Sequence, residues 1–183
     1  MESFKNKFGE VLSPDCLVLQ MLDLIPDTYF NDSLCRWLDP GSGHGQFTYH
    51  IFNRLNNNLS SQFPSKRERE KHIIENMLHM IEINPISVEK TISCFSHKPN
   101  ILCQNFLEYD TKDKYDIIVG NPPFNFDGVR KVPTNTVKDK KKDGSTIWIE
   151  FIRKSLSILK DNGFLCFITP SIWLKPDKQK CYE

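Results

Sequence analysis

The sequence predicts an α/β protein built on a doubly wound, mostly parallel β-sheet. Five short apolar segments are typical of buried strands, and segments with helical periodicity lie between most of them. Strands of a parallel sheet are covered by helices on both faces, so they appear as continuous apolar runs. In such a sheet ligands bind outside the carboxyl ends of the strands, and the residues that follow strands are therefore the candidates for function.

The first half of the chain begins with a helix. Ser13-Pro14 is typical of an N-cap followed by proline at the first helical position, and Pro26 ends the helix. A short strand at 36–39 is followed by a glycine loop at 41–45 and a helix at about 46–55. The predicted apolar face of the first helix consists of Leu17, Val18, Met21, Leu22 and Ile25.

The second half continues the alternation. Ser65 to Glu68 has the form of a capping box and precedes a helix, which leads into a strand at 79–83. Asn84 caps a further helix that starts at Pro85. Strands are predicted at 100–103, 115–120 and 164–169, and a helix at 146–160 ends before Gly163.

Composition excludes several classes of protein. Lys and Arg total 24 and Asp and Glu total 23, so the net charge of +1 provides no global attraction to nucleic acid or membrane. No apolar run approaches the roughly 18 residues that span a bilayer, and the start lacks the apolar core of a signal peptide. We expect a soluble intracellular protein, cytoplasmic or nuclear, without membrane contact. The histidines and cysteines show no metal-ligand spacing, so we expect no metal.

Two strand ends carry features of a nucleotide site. The loop Asp39-Pro40-Gly41-Ser42-Gly43 allows a close backbone approach to a ligand, with a helix N-terminus beyond it. Its pattern is GxGxG, which disfavours a nicotinamide cofactor because that fingerprint is GxGxxG. Glu82 stands near the end of the second strand, where a carboxylate can accept the hydroxyls of a ribose. Alternatives to these roles are a ligand-free turn and a solvated charge.

The fourth strand is followed by Asn121-Pro122-Pro123-Phe124. Two prolines fix the backbone and remove two N–H donors, so the turn presents acceptors. Asn121 Oδ1 and the Pro122 carbonyl can each accept one N–H of an exocyclic amine, while Phe124 stacks on a flat ring. The alternative is an ordinary proline turn.

Together these motifs, FGEVLSP, LDPGSGHGQF, IEINP and IIVGNPPF, resemble the S-adenosylmethionine-dependent amino-methyltransferases, most closely the adenine-N6 DNA methyltransferases of restriction–modification type. The resemblance covers nearly the whole chain and implies a class I, Rossmann-like methyltransferase fold. It implies transfer of a methyl group to the N6 amine of a flipped-out adenine, with Asn121, Pro122 and Phe124 as the catalytic residues.

The resemblance also implies a set of cofactor-binding residues. Asn105-Phe106 stands where the family usually has aspartate and an aromatic residue, so an uncharged acceptor would meet the cofactor's adenine amine. The implied set is Ser13, Pro14, Asp39, Gly41, Ser42, Gly43, Glu82, Ile83, Asn105, Phe106 and Asn121.

A basic segment follows the proposed catalytic turn. The segment from Phe126 to Gly144 contains six Lys and Arg residues and three Asp residues, which gives it a net charge of +3. We expect phosphate contacts beside the target base, with a solvated loop as the alternative. The residues concerned are Arg130, Lys131, Lys138, Lys140, Lys141 and Lys142.

The sequence is also compatible with other functions. Asn-Pro-Pro-aromatic turns also serve RNA adenine methyltransferases and enzymes that methylate protein glutamine, and a catalytically silent cofactor-binding subunit is a further class. The head motif Phe8 to Pro14 favours DNA over RNA. Neither the recognition sequence nor the biological role can be read from the chain.

The extent of the chain leads to an expectation about partners. We expect one catalytic domain over 1–183, with a helical head at 1–30 and without the last two strands of the fold or a target-recognition region. A sheet that ends at its fifth strand leaves an unpaired edge. We therefore expect a homodimer or a partner chain that supplies the missing strands.

Overall fold

A computed structural model describes residues 12–125 and 146–171. These residues form a five-stranded parallel sheet in the order β3-β2-β1-β4-β5, as the sequence predicts. The strands are β1 (Trp37–Asp39), β2 (Leu78–Glu82), β3 (Asn100–Cys103), β4 (Tyr115–Gly120) and β5 (Leu159–Phe167). The chain moves outward from β1 to β3 and then returns to place β4 on the other side of β1. The order reverses between β1 and β4, and ligands of doubly wound sheets bind at that switch point.

Six α-helices accompany the sheet in the part of the chain that the structure describes. They are α1 (Asp15–Leu22), α2 (Asp27–Phe30), α3 (Gln46–Asn58), α4 (Lys66–His72), α5 (Pro85–Cys94) and α6 (Trp148–Ile158). A π-helical turn, Ile73–Met77, joins α4 to β2, and a 3₁₀ turn, Phe106–Glu108, follows β3. Among the described residues no helix is long and apolar enough to cross a bilayer.

The core has one cluster on each face of the sheet. The larger cluster packs α1, α2, α3 and the π-helical turn against Trp37, Leu78 and Ile117. The smaller one packs α6 and the 3₁₀ turn against Leu38 and Ile118. Burial of both faces explains why the three inner strands, β1, β2 and β4, are mostly apolar.

Three local predictions were wrong. The first helix begins at Asp15 with Pro14 as its N-cap residue, so the Ser13 hydroxyl does not cap it, and Leu17 is exposed rather than part of the apolar face. β5 begins directly after α6 at Leu159, although the sequence predicts helix to residue 160. Its register against β4 shifts between Tyr115 and Ile117, and Asn162 takes a positive φ of 63° in the irregular part.

Candidate functional site

The glycine loop leaves the carboxyl end of β1 and leads into α3. Its backbone is tied to β2 by Ser42 N–H, which donates to the Ile81 carbonyl at 3.2 Å. Gly43 and Gly45 have φ values of 52° and 78°, in the left-handed region that favours glycine. The loop is thus a backbone cradle at the switch point of the sheet.

Glu82 joins this loop to the end of β2. One carboxylate oxygen accepts the Gly43 N–H and the other accepts the Asn84 N–H, each at 2.7 Å. The side chain is buried, whereas the next residue, Ile83, is 48% exposed. The structure therefore places an acidic group and an exposed apolar group side by side at the strand end, beside the loop.

Asp39 is a buried carboxylate in the same loop. It is 3% exposed, and neither of its oxygens makes a hydrogen bond of normal geometry within the described part of the chain. Burial is the main reason that the pKa of this carboxyl is raised to about 7. The Gly41 N–H and the Thr48 hydroxyl lower the pKa, whereas the nearby Glu82 charge raises it, and each of these effects is smaller than that of burial. The Ser42 hydroxyl is also buried and unpartnered among the described residues. Buried polar atoms of this kind are typical of a ligand site.

The Asn-Pro-Pro-Phe turn lies directly beside the glycine loop. A β-carbon added to Gly41 would lie 3.8 Å from Pro123 Cδ and 3.9 Å from Pro122 Cα, which is van der Waals contact. Asn121 Nδ2 donates to Ser13 Oγ at 3.2 Å, so the head of the chain meets the turn as well. Phe124 is 37% exposed. The structure thus brings the glycine loop and the Asn-Pro-Pro-Phe turn, 80 positions apart in sequence from Gly41 to Asn121, next to each other.

The base of the basic segment is attached to this turn. Ile147 N–H donates to the Phe124 carbonyl at 3.1 Å, and Asn125 and Thr146 form an antiparallel bridge. The described residues on either side of the basic segment, Asn125 and Thr146, therefore lie next to each other beside Phe124. The predicted phosphate contacts lie outside the described residues: Arg130, Lys131, Lys138, Lys140, Lys141 and Lys142.

Unlike the residues of the glycine loop, Asn105 and Phe106 contact the 3₁₀ turn and the core. Asn105 Oδ1 accepts the Leu107 N–H and its Nδ2 donates to Glu108, both at 3.1 Å, so the side chain caps the 3₁₀ turn. Phe106 is 2% exposed and its ring lies 5.2 Å from that of Phe151 in the core. The predicted cofactor roles of the pair stay predictions.

Two contributors to the site are not identifiable from sequence. Thr91 on α5 is fully buried and donates to the Gly43 carbonyl at 3.3 Å, and its methyl group would lie 3.0 Å from a β-carbon at Gly45. Gly120 accommodates the Asp39 carboxylate. Neither position carries a local pattern, because each acts on a residue more than 40 positions away. No three His, Cys, Asp or Glu side chains of the described ranges converge on a point that could hold a metal ion.

Comparison with known proteins identifies the class. A modification subunit from Vibrio vulnificus, assigned to a type I restriction enzyme, superposes with a TM-score of 0.62 at 21% identity, covering 96% of this chain and 37% of that one. A Listeria monocytogenes protein, assigned as a class I S-adenosylmethionine-dependent methyltransferase, gives a TM-score of 0.60 at 16% identity over 92% of this chain and 49% of that one. The fold is that of the class I S-adenosylmethionine-dependent methyltransferases, as predicted.

The sequence profile of the Eco57I restriction-modification methylases matches residues 19–183, and the chain belongs to that family. M.HincII, a type II methyltransferase of Haemophilus influenzae, is 26% identical over 180 residues, which cover 92% of this chain and 29% of that protein. The chain spans between 16% and 29% of the length of the type II methyltransferases it matches. The restriction–modification resemblance seen in the motifs is confirmed, and S-adenosylmethionine, the predicted cofactor, is the cofactor of this fold class.

Proposed function

We propose that this chain transfers a methyl group from S-adenosylmethionine to the N6 amine of adenine in DNA. The observation that carries the proposal is the closeness of the glycine loop to the acceptor turn, since a β-carbon added to Gly41 would lie 3.8 Å from Pro123 and 3.9 Å from Pro122. A cofactor held by the loop and an amine held by the turn would share one small volume. Holding two reactants in line in this way can contribute about 7–11 kcal/mol to lowering the barrier.

The loop residues fit S-adenosylmethionine. The cofactor carries positive charge on its ammonium and sulfonium groups, and Asp39 is a buried carboxylate without a normal hydrogen bond in the described chain. Glu82 stands where it can accept ribose hydroxyls, and the exposed side chain of Ile83 offers an apolar contact for the adenine ring. When bound, the cofactor supplies a methyl group activated by the positively charged sulfur.

The turn supplies acceptors for the substrate amine. The N6 lone pair of adenine is conjugated with the ring, which makes the amine a weak nucleophile. Asn121 Oδ1 and the Pro122 carbonyl would each accept one N–H, which localises the lone pair on nitrogen and stabilises the positive charge that develops there. Pro122 is buried and fixes the carbonyl, so the acceptors are set before the substrate arrives.

The target base must leave the duplex to reach this turn. Phe124 is 37% exposed and provides a flat face on which the base would stack. Base–aromatic stacking is worth roughly 1–3 kcal/mol, which offsets part of the cost of unpairing. Asn125 and Thr146, which flank the basic segment of net charge +3, lie at this point, and this supports phosphate contacts by the lysines of the segment and Arg130.

One experiment tests the reaction and its substrate. Purified chain is incubated with methyl-tritiated S-adenosylmethionine and, in parallel, with adenine-unmethylated genomic DNA, total RNA and a protein extract. We expect label in DNA, recovered as N6-methyladenine after digestion. Label in RNA or protein alone would assign the chain to the RNA or glutamine enzymes, and binding of the cofactor without transfer would make it a silent subunit.

Variants assign the roles within the site. Asn121→Ala is expected to abolish transfer and to leave the calorimetric Kd for S-adenosylmethionine within a few fold, whereas Glu82→Ala weakens cofactor binding first. Asn57→Ala, at an exposed position on α3, is the matched control for the asparagine. Near-normal turnover in Asn121→Ala would contradict the proposed mechanism.

A further inference from the structure

Thr91 on α5 contacts the glycine loop and has no role in the chemistry described so far. The side chain is fully buried. Its hydroxyl donates to the Gly43 carbonyl at 3.3 Å, and the direction of this hydrogen bond is fixed because a carbonyl oxygen can only accept. Buried hydroxyls need a partner, and threonines in helices often find one in the carbonyl one turn earlier. The Thr91 hydroxyl reaches a loop residue 48 positions away.

The backbone of Gly43 is held by side chains from two different elements. Its N–H donates to Glu82 at 2.7 Å, and its carbonyl accepts the Thr91 hydroxyl. These two groups belong to the peptide units on either side of the α-carbon, so the two hydrogen bonds together restrain φ and ψ of Gly43. Glycine adopts positive and negative φ about equally readily, and Gly43 has a φ of 52°. The two contacts therefore select one of several conformations that the glycine itself allows.

The methyl group of Thr91 approaches the same loop at a second point. A β-carbon added to Gly45 would lie 3.0 Å from Thr91 Cγ2, so the methyl group lies close to the glycine backbone where α3 begins. Thr91 thus makes two separable contacts, a polar one with Gly43 and an apolar one with Gly45. A substitution can remove either contact and leave the other.

The helix that carries Thr91 is attached to the strand that carries Glu82. The second carboxylate oxygen of Glu82 accepts the Asn84 N–H at 2.7 Å, and Asn84 Oδ1 accepts the Ile86 N–H at 3.1 Å and caps α5. The helix therefore begins three residues after Glu82 with a defined geometry. Both side chains that hold Gly43 come from this continuous unit of β2 and α5.

We propose that Thr91 is a positioning residue for cofactor binding. Its hydroxyl holds the Gly43 carbonyl and keeps the glycine loop in the conformation that S-adenosylmethionine binds, so that binding does not have to order the loop. This inference rests on the proposed role of the glycine loop and Glu82 as the cofactor site. It predicts that loss of the hydroxyl weakens cofactor affinity, whereas loss of the methyl group alone lowers stability.

The binding test compares Thr91→Val, which removes the hydroxyl and keeps a methyl group towards Gly45, with Thr91→Ser, which keeps the hydroxyl and removes that methyl group. In Thr91→Val we expect the calorimetric Kd for S-adenosylmethionine, measured on the folded fraction, to rise about three- to tenfold, the effect of losing one hydrogen bond between neutral groups. In Thr91→Ser the Kd stays within about twofold while the denaturation midpoint falls. Val88→Ala is the control, because Val88 is buried on the same helix and has no hydroxyl. It is expected to lower the midpoint and to leave the Kd unchanged.

A second test needs no ligand. In the ¹⁵N-labelled chain, hydrogen exchange of the Gly43 amide reports local opening of the loop, because this N–H is held by Glu82. We expect exchange about three- to tenfold faster in Thr91→Val than in the unsubstituted chain, and unchanged exchange in Thr91→Ser and Val88→Ala. Unchanged exchange in Thr91→Val means that the hydroxyl does not hold the loop, and this overturns the inference.

The remaining outcomes separate this inference from the function on which it rests. A normal Kd in Thr91→Val, with a raised Kd in Glu82→Ala, refutes the positioning role and leaves the cofactor site as proposed. A Kd that rises equally in Thr91→Val and in Thr91→Ser or Val88→Ala assigns the effect to the packing of α5 and refutes the positioning role as well. A normal Kd in both Thr91→Val and Glu82→Ala refutes the inference and the proposed cofactor site together.

Discussion

A β-carbon added to Gly120 would lie 2.7 Å from Asp39 Oδ1, so the last residue of β4 leaves room for the carboxylate that ends β1. Because Gly120 has no side chain, the end of β1 and the end of β4 can lie close together. This proximity lets the glycine loop lie against the strand that leads into Asn121.

Gly120→Ala is therefore expected to destabilise the fold by about 1–3 kcal/mol, the usual cost of overpacking. Chemical denaturation measures the change. Gly41→Ala is the control for stability, since its β-carbon would meet ordinary contacts at 3.8 Å or more. In an Asp39→Ala background the same Gly120 substitution should cost much less, and an undiminished cost would contradict the proposed clash.

The buried Asp39 carboxyl makes stability depend on pH. Its pKa is raised from 3.8 to about 7. Between these values the folded carboxyl keeps a proton that the unfolded chain has lost, so its contribution to stability is complete below about pH 4 and is lost as the pH rises to about 7. Asp39→Asn should flatten the decline in the free energy of unfolding over this range, and a decline of unchanged slope would exclude Asp39 as its source.

Cofactor binding should release a proton for the same reason. A positively charged ligand favours the ionised form of Asp39, so below about pH 7 binding displaces the proton that the free carboxyl holds. Calorimetry at about pH 6 in two buffers of different ionisation enthalpy measures the release. We expect it to fall towards zero at about pH 8 and to be absent in Asp39→Asn; equal release at both pH values would assign the proton to another group.

Even an isosteric substitution of Glu82 should lower stability and weaken cofactor binding. Both of its oxygens accept a backbone N–H, from Gly43 and from Asn84. In Glu82→Gln the amide NH₂ would face one of these donors, and an unsatisfied buried pair costs about 1–3 kcal/mol. We expect lower stability and weaker cofactor binding than in Glu89→Gln, an exposed control on α5. Equal effects in the two variants would show that the hydrogen bonds from Gly43 and Asn84 to Glu82 contribute neither to stability nor to cofactor binding.

The parts of the site that sequence predicts are those with short-range signatures. The glycine loop, Glu82 and the Asn-Pro-Pro-Phe turn each follow a strand whose apolar run is visible. The contacts between them are not visible, because they join residues far apart in sequence: Ser13 to Asn121, Thr91 to Gly43, Asp39 to Gly120. The start of β5 was missed for a related reason, since pairing with β4 overrides helical periodicity at Leu159.

Substitutions at Phe106 and Ile83 should distinguish a side chain that stabilises the core from one that contacts the cofactor. Phe106 is 2% exposed and packs on Phe151, so Phe106→Ala should destabilise the fold by about 3–5 kcal/mol. Ile83 is 48% exposed beside Glu82, so Ile83→Ser should leave the denaturation midpoint nearly unchanged and weaken cofactor binding several-fold. Calorimetry on the folded fraction measures affinity in both variants, with Ile92→Ser as the control at a similarly exposed position on α5. If Phe106→Ala lost affinity but not stability, the ring would belong to the cofactor site that the family resemblance implies, and its packing against Phe151 would be secondary.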